Sequence, residues 1–326
     1  MTTFGDQVFQ FGGIPVVGSG MLPIMGSSGR VFFVDPANGS DSNSGLTPKS
    51  ALDTVTAAYN KCTANKGDTV YLLGDGNTSG TARESSLPLT WAKDNTHLVG
   101  LGAPCMLSQR TRITPLSGAA LTENAVIKVT ADACVFSNLA IGHWGSTDAK
   151  GTQGLEVAGQ RNYFHNLHVV GIGHDNAGDE TDSADLLISA GGNENLFERC
   201  TFGVDTVLRS TTNASIEVTG AAERNAFIDC TSIIRGDSAN NYFIKVDAAA
   251  DILGFLLFKN CTFINNIEGT GKGMTVALIA HDACGAPIIL QNTQFFGVTD
   301  VCAHNGNVWT SGVDGTTTGG VGVATT

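Results

Sequence analysis

Apolar and polar positions recur in one short phrase six times between residues 136 and 295: apolar, any, polar, small or apolar, any, and usually apolar. The copies begin at Phe136, Phe164, Phe197, Phe227, Phe258 and Leu290, 28 to 33 residues apart. Their third positions are Asn138, Asn166, Arg199, Asp229, Asn260 and Asn292. A period of about 20 to 50 residues marks stacked units that cannot bury their apolar faces alone. A second apolar run precedes each copy: 126–129, 155–157, 186–188, 216–218, 243–246 and 276–279. Two or three short strands per coil, with Gly and Asn at the turns of 158–162 and 220–225, predict a parallel β-helix. A six-bladed propeller is the main alternative, but its blades need four strands and usually about 40 residues each.

Upstream, the pattern changes. Val31–Val34 reads as a strand and 35–45 as a long polar loop. Leu52, Val55, Tyr59 and Cys62 then predict an amphipathic helix over 51–65, opened by Thr47-Pro48 or Ser50 and closed by Gly67. Residues 68–73 form another strand, and 96–101 belong to an early coil. A strand, helix and strand ahead of a solenoid make a cap, because the first coil otherwise exposes its apolar end and strand edges. The predicted organisation is an extended arm at 1–30, a cap at 31–95, a β-helix at 96–304 and a tail at 305–326. The arm holds Phe4, Val8, Phe9, Phe11, Ile14, Val16, Met21, Leu22 and Ile24 among seven glycines, without a sustained helical period. Such a segment lies in a partner's groove or frays as a terminus; its apolar content favours the groove.

Composition sharpens this reading. Charged residues are only 15% of the chain and glycines number 41, which suits a β-rich chain with many turns. Net charge is −12, and no basic cluster exceeds a local pair, so direct binding to nucleic acid is not expected. No apolar run is long enough to span a membrane. The first basic residue is Arg30, so a Sec leader is not expected, and the eight cysteines are expected to fold in a reducing cytoplasm.

The candidate chemistry is sparse. Cys200, Cys230 and Cys261 share one place in three consecutive phrases, which predicts an interior ladder of small hydrophobes about 4.8 Å apart. Asn138, Asn166, Asn260 and Asn292 predict a corner ladder of stacked amides. The richest ionisable stretch is 174–185, with His174, Asp175, Asp179, Glu180, Asp182 and Asp185. Its carboxylates are candidates for glycoside hydrolysis or a calcium site, although a solvated turn is the commoner meaning of such a cluster. Asp35, Asn38, Asp41 and Asn43 alternate like oxygen ligands, but turn composition explains them. His143, His165, His168 and His174 fall within two coils without metal-site spacing. No CxxC, nucleophile elbow, P-loop or dinucleotide fingerprint is present. No cofactor, metal or enzymatic activity is expected from these residues.

Two resemblances add to this. The segment 34–48, with Asp35-Pro36, Asn38-Gly39 and Leu46-Thr47-Pro48, followed by Ala57-Ala58-Tyr59, resembles the entry to right-handed β-helices of the pectate-lyase-like superfamily. It implies an all-β, right-handed single-stranded parallel β-helix and is silent on activity. The opening MTTFGDQVFQFGG, Thr90-Trp91-Ala92-Lys93 with Thr96–Gly100, Arg161–Phe164 and Asp205–Arg209 resemble a family of tailed-bacteriophage virion proteins. That likeness covers nearly the whole chain. It implies a tailspike-like homotrimer that docks on the major capsid protein at the capsid exterior as a cement or decoration protein. Production in the host bacterial cytoplasm follows, and no catalytic motif is carried over. A tail-associated spike or fibre that binds, and in some cases cleaves, host surface polysaccharide is the alternative.

Overall fold

A computed structural model of the chain describes residues 10–11, 14–15, 29–74, 81–84, 88–103, 105–107, 109–115, 125–144, 152–267, 273–281, 283–302, 307–310 and 321–322. The architecture is a right-handed parallel β-helix, a prism with three sheets as its sides.

The first sheet runs Val31–Val34, Thr69–Leu73, His97–Leu101, Val135–Ser137, Tyr163–His165, Leu196–Glu198, Ala222–Ile228, Ile252–Lys259, Ile288–Gln291 and Val308–Thr310. An antiparallel Val321–Gly322 closes it. The second runs Thr81–Glu84, Arg112–Pro115, Ala140–Gly142, His168–Val170, Thr201–Phe202, Thr231–Gly236, Thr262–Asn265 and Gln294–Phe296. The third runs Leu89–Trp91, Ala125–Val129, Gln153–Val157, Ala184–Ile188, Asn213–Val218, Asn241–Val246, Met274–Ala280 and Val298–Cys302. Each repeated phrase therefore straddles a corner: its first half lies on the first sheet and its second half on the second.

Register explains why phenylalanine opens the phrase. Phe136, Phe164, Phe197, Phe227 and Phe258 are directly paired in successive strands and fully buried. Their rings stack at centroid distances of 5.3, 4.6, 4.6 and 4.7 Å. Removing one such ring costs about 3–5 kcal/mol, since the neighbours cannot collapse into the gap. From the third sheet, Ile127, Leu155, Leu186, Ile216, Ile244 and Leu278 line the same interior.

The helix is shorter than its periodicity predicts. It spans Val55–Lys61, with the Thr54 side chain accepting from the Ala57 amide. Residues 51–53 are instead held extended beside the first strand. The Leu52 amide donates to the Phe33 carbonyl at 2.8 Å, and the Asp35 amide donates to the Leu52 carbonyl at 2.8 Å. Asp41 Oδ1 then accepts from the amides of Asp53 and Thr54, both at 2.9 Å, so the helix starts only after this clamp. At the other end Lys93 Nζ donates to the carbonyls of Tyr59, Asn60 and Cys62 at the helix C-terminus, where carbonyls run short of helical amide donors. Tyr59 meets Trp91 at 4.5 Å, and Trp91 meets Phe136 at 5.3 Å. The helix thus covers the open end of the aromatic column.

Candidate functional site

The corner residues decide which faces remain for function. Asn138, Asn166, Arg199, Asp229, Asn260 and Asn292 all have φ between 49° and 56°. This left-handed conformation is costly for most side chains and least so for Asn and Asp, whose short polar groups bond locally. Asn166 Nδ2 donates to Asn138 Oδ1 at 2.8 Å, and Asn138 donates to the carbonyls of Gly100 and Gly102. Asn292 donates to Asn260 at 3.0 Å, and Asn260 to Asp229 at 3.0 Å. Arg199 stands between these two runs.

Cys200, Cys230 and Cys261 follow the corner and are buried. Each thiol donates to a phenylalanine carbonyl, those of Phe164, Phe197 and Phe227, at 3.4 to 3.5 Å. Burial pushes the Cys230 thiol well above its ordinary range, so it is a poor nucleophile at neutral pH.

A second amide ladder, not anticipated from sequence, fills the corner between the third and first sheets. Asn162 Oδ1 accepts from the Cys134 amide at 2.8 Å, Asn195 Oδ1 from the Asn162 amide at 2.9 Å, and Asn225 Oδ1 from the Asn195 amide at 3.0 Å. Their Nδ2 groups donate to the carbonyls of Ala131, Gly159 and Gly192. All three are buried. The signal was present: Asn stands two residues before Phe at 164, 197 and 227.

The acid-rich stretch 174–185 does not converge on one point. His174 Nδ1 accepts from the Asn176 amide and opens a short turn of helix, Asp175–Gly178. Asp179 accepts from the Ser210 hydroxyl. Asp182 reaches Lys245 Nζ at 2.7 Å. Asp185 turns into the prism and pairs with Arg209 Nη2 at 2.7 Å, both fully buried, while its Oδ1 accepts from the amides of Gly171 and Ile172. Gly203, at φ +84°, leaves room for this pair, since a Cβ there would meet Asp185 Oδ2 at 2.9 Å. No group of three metal-ligating side chains occurs among the described residues. Asp35 and Asp41 likewise spend their oxygens on backbone amides.

The histidines are also dispersed. His168 is buried with Nε2 2.9 Å from the Gly203 carbonyl, and burial holds its pKa below the ordinary range. His165 Nδ1 lies 3.3 Å from Ser137 Oγ on the first sheet. Glu198, next in that row, accepts from Tyr163 Oη at 2.5 Å. This serine, histidine and glutamate share a stacked row, but Ser137 is fully buried and closed to a polymer substrate.

The most concentrated charge lies on the outer face of the third sheet. Lys128, Glu156, Leu187, Glu217 and Lys245 form one register row. Lys128 Nζ meets Glu156 at 2.9 Å, and Ser189 Oγ donates to the same carboxylate oxygen. Lys245 Nζ is nearly buried and contacts Glu217 at 3.0 Å as well as Asp182. Burial pulls the Lys245 ammonium down, but Asp182 and Glu217 outweigh it and hold the charge above the usual lysine range. Because Lys245 is shared, its field on Glu217 is diluted, and burial keeps that carboxyl above the usual glutamate range. A raised carboxyl beside a fixed ammonium has the chemistry for acid–base work, although Glu217 is only 8% and Lys245 only 5% exposed.

Of the arm residues, Phe11 and Ile14 lie in a pair of antiparallel two-residue strands, Gln10–Phe11 and Ile14–Pro15. Phe4, Val8, Phe9, Val16, Met21, Leu22 and Ile24 lie outside the described residues. No helix among the described residues is long and apolar enough to cross a membrane.

No protein-family model matches the chain, and no curated protein matches it. Solved structures do. A pectin methylesterase in complex with a hexasaccharide is 14% identical with a TM-score of 0.54, over 86% of this chain and 87% of that one. Pectin methylesterase PemA from Erwinia chrysanthemi is 13% identical with a TM-score of 0.53, over the same shares. The enzyme from Yersinia enterocolitica is 11% identical with a TM-score of 0.50, over 77% and 81%. What is shared is the fold, a right-handed parallel β-helix. These neighbours correct the expectation that the chain is not an enzyme: their names are those of enzymes. That expectation rested on missing contiguous motifs, whereas a β-helix assembles side chains from separate coils about 30 residues apart, which leaves no contiguous motif to find.

Proposed function

We propose that this chain is a virion protein of a tailed bacteriophage, a homotrimeric cement or decoration protein that binds the outer surface of the capsid and stabilises the head. The observation that carries the reading is the outer face of the first sheet. Val135, Tyr163, Leu196, Ala226, Leu257, Ile289 and Trp309 form one outward row, every member partly or well exposed and none charged. Seven rungs at about 4.8 Å make a stiff strip about 29 Å long. Two further copies of the chain would supply the flat partners that such a strip needs. The likeness of nearly the whole chain to a phage virion family supports the same reading, as does the net charge of −12, which suits a surface facing away from DNA. The arm at 1–30 is the segment proposed to cross onto the major capsid protein.

The test is copy number on purified particles: on the order of hundreds for cement, against roughly a few dozen for a spike. Deleting residues 2–29 should abolish capsid attachment and leave a soluble trimer; normal occupancy by the truncated chain sinks the arm.

A second reading is favoured by the charged face of the third sheet and by neighbours named for pectin, one of them holding a hexasaccharide. In it the chain is a spike that binds and cleaves host polysaccharide, with Glu217 as the acid–base group beside Lys245. Release of reducing ends from host polysaccharide, lost in Glu217→Gln, establishes it; no release by the intact chain removes it.

A further inference from the structure

We propose that the groove at the corner between the first and second sheets binds a sugar acid, a ring carrying hydroxyls and one carboxylate. The site lies on the edge of the prism away from the charged third sheet, and it does not depend on attachment to a head.

The groove encloses about 290 Å³ between the coil corners and the segment bearing Met106. Arg199, Asn166, Asp229, Thr201, Thr231 and Met106 line it. It sits where the corner ladder is broken. Asn166 bonds down to Asn138, and Asp229 takes the amide of Asn260 from above, but Arg199 bridges to neither. Among the described residues the Arg199 guanidinium has no carboxylate partner, although it is exposed at the rim. Its φ is +54°, a conformation that favours Asn over a long side chain. Arg161 and Arg224 share this conformation, but each pairs with Glu194, whereas Arg199 gives up a ladder bond and faces the groove.

The lining chemistry names the ligand class. A guanidinium forks onto a planar carboxylate with two parallel hydrogen bonds. Asn166 and the threonine hydroxyls both donate and accept, as sugar hydroxyls do, and Asp229 only accepts. Met106 supplies an adaptable apolar wall for a ring face. A simple anion would be repelled by Asp229, and a neutral sugar would leave Arg199 without its pair. The volume is near the lower end of small-ligand pockets, which suits a single ring.

The experiment is ligand-observed NMR on the full-length protein with sodium glucuronate, glucose and a glucuronate-containing oligosaccharide. Glucuronate should saturate at millimolar concentration, at least about tenfold tighter than glucose, because glucose offers Arg199 no carboxylate for a charge-assisted pair. Arg199→Asn is the decisive variant. It completes the ladder and suits the left-handed φ, so it should raise the melting temperature while weakening glucuronate by about tenfold or more. Asp229→Asn keeps the fold and the bond from Asn260, and should weaken the sugar acid while leaving acetate unchanged or tighter. Tighter binding of the oligosaccharide than of free glucuronate assigns the source to a glycan; the reverse assigns it to a free sugar acid. Equal binding of glucose and glucuronate, or unchanged glucuronate binding in Arg199→Asn, overturns the proposal.

Discussion

The chain turns from sheet to sheet in two contrasting ways. Between the first and second sheets it uses a single left-handed residue per coil, at 138, 166, 199, 229, 260 and 292, and the same few bonds repeat. Between the second and third sheets the connections vary. The stretch from Gly171 to Ser183 includes a turn of helix, 203–212 forms another excursion, and Asp237–Asn240 is a tight turn. The repeated corner is stabilised by many equivalent contacts. The variable crossing depends on single, unrepeated ones, such as the Asp185–Arg209 pair. Regularity makes a stiff prism; irregularity is where charge and individuality gather.

The largest effect should come from breaking the crossing. Arg209→Met leaves Asp185 buried without its partner and should cost about 3–5 kcal/mol in chemical denaturation. Adding Asp185→Leu should recover most of that loss, and failure to recover it would mean that the pair acts through more than its own charges. Next, Asn195→Ala removes one rung of the buried ladder, stranding the amide of Asn162 and the carbonyl of Gly159; about 2–3 kcal/mol should be lost. Asn166→Ala on the exposed ladder should cost about 1–2 kcal/mol, from one amide bond and the left-handed φ, since water replaces much of the lost contact. If Asn166 proved as costly as Asn195, the distinction between buried and exposed corners would fail. The smallest effect is on pH dependence. Burial lowers the folded pKa of His168, so its contribution is present above the ordinary histidine range and is lost as pH falls through it. His168→Gln should therefore flatten the decline in melting temperature between about pH 7 and about pH 5 and change little at neutrality. An unchanged slope would show that other groups set the acid limit.

Much of the scaffold was legible in the sequence. Phe136, Phe164, Phe197, Phe227 and Phe258 announce the aromatic column because each coil must place the same volume over the last. The Asn positions mark corners for the local reason that few other residues accept φ near +50°. The helix was overextended because periodicity at Leu52 and Val55 cannot reveal that Leu52 pairs with Val34. Asn162, Asn195 and Asn225 were written two places before Phe, yet their role depends on meeting the coil above. The candidate sites were less legible still. The acids of 174–185 look like one cluster on paper, but they separate to Ser210, Lys245 and Arg209, whose positions in sequence carry no hint of the pairing.

By itself the sequence determined the period, the residue type at each corner and the apolar filling, because these follow from local backbone preference and from one coil repeating over another. Only the tertiary structure decided where charge goes. Stacking alone brings Glu217, Lys245 and Asp182 together on one face, turns Asp185 inward to Arg209, and opens a groove where Arg199 interrupts the ladder. Those meetings depend on which coil lies over which and on how far each loop reaches, and no single stretch of chain encodes either.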